Sequence, residues 1–242
     1  MKSTLSSLSL LGLTLAAALP QNSPVRTLPP NWSFTITSLS GPGCPDFGAD
    51  PNVRRSTRLT YGQNTMDGSE IYYWFVAYPY MRVNLTGTTH TWCETTLEYK
   101  ELADLDGKKE GEDYRLRLHK NGTAVIGTYE LEEGVKATWS FEYEKGGRGR
   151  DITDTVTISG PAASGKYDNQ LHSESMPNSK PVLAPLPDCG SGEIKFRTDL
   201  RIEGKKGKKG YVQSETSVDK QGKVDYYGAQ QGFSYDWVKC EN

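Results

Sequence analysis

Along most of this chain apolar and polar side chains alternate with the two-residue period of a strand that buries one face and wets the other. The clearest run places Val135, Ala137, Trp139, Phe141 and Tyr143 in one phase and Lys136, Thr138, Ser140, Glu142 and Glu144 in the other. Ile194, Phe196, Leu200 and Ile202 alternate in the same way with Lys195, Arg197, Asp199, Arg201 and Glu203, and Phe233, Tyr235 and Trp237 repeat the pattern near the end. Further strands are predicted over 32–39, 71–78, 94–100, 114–119, 124–131, 152–158 and 211–218. Asn121-Gly122 predicts a tight hairpin because both residues accept positive φ, and Glu133-Gly134 marks a second turn. Apolar stripes at helical spacing are absent, so little helix is expected. Roughly ten strands joined by short turns predict an all-β fold, first an antiparallel β-sandwich and second a flattened barrel.

Two segments break the rhythm. Residues 19–31 carry Pro20, Pro24, Pro29 and Pro30, which lack the ladder donor and read as a leader ahead of the folded part. Residues 159–189 are rich in Pro, Ser, Gly and Asn and read as a long connection within a single sandwich domain spanning 32–242.

The first eighteen residues change the picture of compartment. Lys2, the apolar stretch Leu5 to Leu15 and Ala16-Ala17-Ala18 have the layout of an export signal, with cleavage expected after Ala18. That stretch is too short to span a bilayer, and no later one is apolar enough, so a secreted, extracellular protein without a membrane span is expected. About 220 residues remain, enough for one sizeable core. Asn31-Trp32-Ser33, Asn84-Leu85-Thr86 and Asn121-Gly122-Thr123 are acceptor sequons for surface glycans. Four cysteines, Cys44, Cys93, Cys189 and Cys240, make two disulfides the default in an oxidising compartment, with three pairings open. No two of them have the close spacing of a zinc site. The formal net charge is −2, and acidic and basic residues are interleaved, which leaves no general footprint for nucleic acid.

Ile36-Thr37-Ser38 with Gly41-Pro42-Gly43-Cys44-Pro45, then Cys93 before a strand, Gly160-Pro161 with Tyr167, Cys189-Gly190 before an alternating strand, and Trp237-Val238-Lys239-Cys240 occur in order along nearly the whole mature chain. In this the chain resembles a family of small secreted fungal proteins catalogued as a domain of unknown function. The resemblance implies a secreted β-rich fold and brings no catalytic residues with it. The longer leader and the acidic stretch Glu101 to Asp113 depart from the family pattern. Of the three pairings we expect Cys44 with Cys93 and Cys189 with Cys240, one bridge in each half.

Candidate chemistry is sparse. His90, His119 and His172 are the available imidazoles; His119 falls on the polar phase of its strand, and the other two fall in expected loops. A GxSxG elbow is absent, and the expected mature start, Leu19-Pro20, lacks the N-terminal histidine of copper-dependent polysaccharide oxidases. Asp199, Glu203 and Asp236 read as solvated strand faces rather than paired catalytic carboxylates. Asp104, Asp106 and Glu110, with Glu112 and Asp113, gather oxygen ligands that calcium would favour, but the spacing does not complete an EF-hand and Lys108 and Lys109 interrupt it. Gly204 to Gly210 forms a glycine-spaced basic turn.

The run Ile71 to Tyr80 is aromatic or apolar in both phases. It is either a central strand covered on both faces or an aromatic platform in which Tyr72, Trp74, Tyr78 and Tyr80 stack on sugar rings or a partner surface. The expected function is a non-enzymatic secreted protein that needs no cofactor and binds a cell-wall glycan or a host or partner protein, as an effector if the organism lives on a host. The alternatives are an extracellular carboxylate-dependent glycan hydrolase and a structural wall protein.

Overall fold

The structure is a computed structural model. It describes residues 29–45, 57–61, 72–144, 152–164, 171–172, 184–185, 188–213, 215–218, 221 and 224–241. The export segment and most of the leader lie outside these residues, as does most of the 159–189 connection.

The described residues contain strands and no helix. In chain order the strands are β1 (Asn31–Ser40), β2 (Arg58–Tyr61), β3 (Tyr72–Tyr78), β4 (Val83–Asn84), β5 (His90–Leu102), β6 (Tyr114–Ile126), β7 (Thr128–Leu131) and β8 (Lys136–Tyr143). They continue with β9 (Ile152–Ser159), β10 (Ala162–Ala163), β11 (Leu171–His172), β12 (Ala184–Pro185), β13 (Ser191–Glu203), β14 (Gly210–Gln213), β15 (Glu215–Val218) and β16 (Val224–Lys239).

Among the described residues all pairings are antiparallel and no barrel closes. One sheet runs β1-β5-β13-β8-β9, a second runs β11-β6-β16-β3-β2 with β12 and β15 attached, and a small third sheet runs β10-β7-β14-β4. Strands from both sides of the long connection pair within each of these sheets: β13 lies between β5 and β8, and β16 lies between β6 and β3.

The two large sheets face each other through the apolar phases that the sequence shows. Phe34 from β1 packs on Trp74 (centroids 4.3 Å apart), Phe233 and Tyr235 from the opposite sheet, and Phe196 from β13 meets Phe233. Leu97, Phe141, Leu200, Leu116 and Val76 are fully closed to water around them. Polar groups also cross this interior. Tyr78 Oη and Thr95 Oγ1 lie 3.0 Å apart, Thr198 bonds Gln231, Gln231 Nε2 donates to Tyr143 Oη (3.2 Å), and Tyr143 Oη meets Thr123 Oγ1 (2.8 Å). Asp154 Oδ2 accepts from Thr123 N, and Trp237 Nε1 donates to Tyr99 Oη. Burial pushes the Tyr78, Tyr99 and Tyr143 hydroxyls far above the usual tyrosine range, so they remain neutral donors and acceptors. In a buried polar line whose members find partners the hydrogen bonds offset the cost of desolvation, and the line fixes how one sheet sits on the other.

The disulfides are Cys44–Cys93 and Cys189–Cys240. The first ties the turn after β1 to β5 (Cα–Cα 5.6 Å), and the second ties the segment before β13 to the residue after β16 (6.5 Å), linking the two large sheets. Each closes a loop of about 50 residues, worth about 4 kcal/mol in the chain-entropy account.

Two expectations are corrected. Asn121-Gly122 does not turn a hairpin, because β6 runs through it from Tyr114 to Ile126. Its pairing jumps from Thr123 opposite Phe233 to Leu118 opposite Tyr235, so residues 119–122 bulge against Ser234 alone, and Gly122 (φ 74°) supplies the positive φ that the bulge needs. Likewise 124–131 and 211–218 are not single strands: each breaks, after Ile126 and after Gln213, and changes sheet. Those breaks build the small sheet.

Candidate functional site

The small sheet closes the core where β13 ends and β8 begins. Its strands are short, so it contributes one inner row and one outer row. Val83, Val212 and Tyr129 are matched across β4, β14 and β7, and all three are buried. The neighbouring residues in the same register, Asn84, Tyr211 and Glu130, must then point outward together, because side chains alternate along a strand.

That outer row floors a groove. One cavity of about 530 Å³ is lined by Asn84, Tyr211, Gln213, Tyr80, Arg82 and Thr88, with Pro42 and Thr91 at its wall. A second of about 290 Å³ is lined by Asn84, Tyr211, Thr86, Glu130, Glu132 and Lys209. The two share Asn84 and Tyr211 and so adjoin there, and together they are termed the groove. Tyr80 is held at the rim by the turn after β3, in which Met81 N donates to Tyr78 O and buries Met81 beneath it. Burial raises the Tyr211 phenol, and the neighbouring Glu130 charge and its hydrogen bond to the hydroxyl raise it further. The Tyr211 hydroxyl thus stays a neutral phenol beside Glu130. Glu132 accepts from Lys209 N (2.9 Å), which fixes the far wall. Asn84 Oδ1 accepts from Thr86 N (2.9 Å) and Thr86 Oγ1 (2.8 Å), and Asn84 N and O close the β-turn to Thr88 and Gly87.

Chemically the groove offers two phenol rings, a guanidinium, two carboxamides, hydroxyls and two carboxylates. Flat rings flanked by planar hydrogen-bonding groups suit a polyhydroxylated ring that shows an apolar face and an equatorial fringe of hydroxyls.

Of the two readings of the β3 run, the aromatic platform does not form. Trp74 is 6% exposed and Tyr78 1%, both turned into the sandwich, and Phe75 and Ala77 on the opposite phase are buried too. Phe75 fits because Gly232 has no side chain: a Cβ there would stand 2.6 Å from the Phe75 ring. This is the strand covered on both faces. Of the four candidates Tyr80, 36% exposed, reaches the groove, and the Tyr72 side chain lies outside the described residues.

The other candidates are dispersed. His90 Nε2 lies 2.7 Å from Asp199 Oδ1 on the outer face of the first sheet, and Arg197 bonds both Asp199 (2.7 Å) and Glu94 (2.9 Å) while stacking on Trp92 at 4.2 Å. Burial pushes the Asp199 carboxyl up, but its bonds to Arg197 and His90 and their charges outweigh this and hold it below the usual aspartate range. Glu203 is exposed at the end of β13. The side chains of His119, His172 and Asp236 lie outside the described residues.

The calcium candidates do not converge. Asp104 Oδ1 accepts from Lys108 N and Lys109 N, Asp106 faces Lys108, and Glu110 faces Lys100. Among the described residues no three His, Cys, Asp or Glu side chains meet as metal ligands would. Glu101 of the same acidic stretch is buried and accepts from Asp113 N and Tyr114 N. Its role is to anchor that loop. The basic turn is an exposed connection from β13 of the first sheet to β14 of the small sheet, and its Lys209 borders the groove.

Of the sequon residues, Asn31 opens β1 half buried with its Oδ1 accepting from Trp32 N, Asn84 floors the groove, and the Asn121 side chain is not described. Sequence reasoning missed Tyr211, Arg82 and Gln213. The available signal was phase, since Tyr211 is an aromatic out of step with the buried Val212.

Among the described residues no helix is long and apolar enough to cross a membrane. No family model matches the chain, and no curated protein does. Two solved structures are similar to it over 86% of its length. One is TmCBM61 in complex with β-1,4-galactotriose, at 10% identity and a TM-score of 0.18 over 88% of that chain. The other is the enzymatically active domain of bacteriophage CBA120 tailspike protein 4, at 11% identity and a TM-score of 0.22 over 19% of that chain. Likeness this slight does not bear on what the present chain binds.

Proposed function

We propose that this protein is an extracellular saccharide-binding module whose ligand lies along the Tyr80–Asn84–Tyr211–Glu130 groove. The observation that carries this reading is the outer row of the small sheet, in which Tyr211 stands between a carboxamide and a carboxylate where the two cavities meet. The two disulfides and the export-like first eighteen residues support an oxidising, extracellular setting, as does the resemblance of the cysteine contexts to small secreted fungal proteins. Tyr80 and Tyr211 supply stacking surface, while Arg82, Asn84 and Gln213 supply donors and acceptors. A panel of cell-wall oligosaccharides titrated by calorimetry tests the reading. Binding by at least one, weakened by Tyr211→Ala and Arg82→Ala, is expected; heat from none of them would overturn it.

A second reading has its own observation: Glu130 and Glu132 both line the smaller half of the groove beside Tyr211. Glu130 lies on β7 and Glu132 just beyond its end, and two carboxylates bordering one cavity are what glycoside hydrolysis requires. Both carboxylates are already engaged, by Tyr211 and by Lys209 N, which favours binding over turnover. Reducing-end release from the bound oligosaccharide, abolished by Glu130→Gln, would decide for hydrolysis.

A further inference from the structure

Asn84 stands in a position that neither of the other sequon asparagines is seen to share. It is the acceptor of Asn84-Leu85-Thr86 and also a floor residue common to both halves of the groove. Its carboxamide is oriented: Oδ1 is committed to Thr86 N and Thr86 Oγ1, and Asn84 is exposed, which leaves Nδ2 as the atom that faces groove and solvent. Tyr211 is its direct cross-strand partner on the same face. Directly opposed residues on one face of a sheet have Cβ atoms about 5 Å apart, so the first sugar attached at Nδ2 would begin within reach of the Tyr211 ring.

We propose that the chain's own glycan, attached at Asn84, lies in the groove against Tyr211 and closes it to outside saccharides, so that trimming or absence of this glycan opens the site. The closing action rests on the saccharide-binding reading given above; the seating of the glycan does not. Any N-linked glycan begins with two β-1,4-linked N-acetylglucosamines, and a groove that seats them takes the same disaccharide unit from outside. Chitin-type oligosaccharides are therefore the ligand class assigned to the open form. The attached glycan needs only weak affinity to prevail, because tethering at the floor gives it an effective concentration of about millimolar for a short linkage.

The test uses the full chain exported from a eukaryotic host, as wild type, Asn84→Gln and Thr86→Ala. Thr86→Ala removes the sequon while keeping Asn84 and its bond from Thr86 N, losing the bond from the Thr86 hydroxyl. The two variants disturb the turn in different ways, so a result common to both is not due to either disturbance. Peptide mass mapping reads occupancy of Asn84, nitration reads access to Tyr211, and calorimetry with chitohexaose reads binding. The expected result is an occupied Asn84, nitration of Tyr211 suppressed in the wild type alone, and chitohexaose binding lost in the wild type and present in both variants.

An unmodified Asn84, or equal nitration of Tyr211 in all three proteins, overturns the seating. Protected Tyr211 with equal chitohexaose binding in all three overturns the closing action and leaves the saccharide reading standing. Protected Tyr211 with no binding in any protein supports the seating and removes the chitin-type ligand; if the wider oligosaccharide panel also fails in both variants, the saccharide reading falls with it.

Discussion

Tyrosines in two regions of this molecule are held in contrasting ways. Tyr78, Tyr99 and Tyr143 lie between the large sheets, where each ring fills volume and each hydroxyl meets a fixed partner, respectively Thr95, Trp237 and Thr123. Tyr211 lies on the outer row of the small sheet, with its hydroxyl tethered to Glu130 and its ring bordering open space, and Tyr80 stands at the same rim. The residue type is the same, and what covers it decides its role. In the interior a tyrosine contributes to stability through packing and a satisfied polar line; at the groove it has little to stabilise and is placed to meet a ligand.

Substitutions that act on one region and spare the other sharpen this contrast. The largest effect is expected from Phe34→Ala, which removes the ring that touches Trp74, Tyr99, Phe233 and Tyr235. About 3–5 kcal/mol of unfolding free energy should be lost, read by urea titration under non-reducing conditions. Tyr143→Phe keeps the ring but strips the partner from Gln231 Nε2 and the Thr123 hydroxyl, and should cost about 1–3 kcal/mol in the same titration. Tyr211→Ala should leave the urea midpoint almost unchanged while weakening saccharide binding about tenfold, the worth of one aromatic contact. A midpoint shift as large as that of Tyr143→Phe would erase the distinction between the regions.

The smallest effect concerns acid. The native Asp199 carboxyl is held below its ordinary value of 3.8, so over that interval the unfolded chain takes up a proton more readily than the folded one. Its contribution is whole above pH 3.8 and drains away as pH falls through the native value. Asp199→Asn should flatten that acid limb of the stability curve without altering ligand binding, since none of His90, Arg197 and Asp199 lines the groove.

The sandwich was legible in the chain because its long strands keep phase. Thr198 falls in step with Ile194, Phe196, Leu200 and Ile202, and it is buried with them; Glu101 is in step with Leu97 and Tyr99 and is also buried. Phase alone does not say which polar residue has a partner across the core, and so Gln231 and Asp154 carried no signal. Asn121-Gly122 misled because the positive φ of glycine serves a bulge as readily as a hairpin. The β3 aromatics left two readings open because covering the second face depended on Gly232, far along the chain. The groove was hardest to foresee. It is assembled from β4, β7 and β14, elements of two to four residues brought together from positions 83, 128 and 210, and such fragments are too short to show a period.

The contrast between the two regions is tested most directly by amide and aromatic NMR of the Thr86→Ala chain titrated with chitohexaose. Shifts confined to Tyr211, Tyr80, Arg82, Gln213 and their neighbours, with Trp74, Tyr78 and Tyr143 unmoved, are the predicted result. Shifts centred on the outer face of the first sheet around Trp92, or no shifts at all with this and every other wall oligosaccharide, would contradict it.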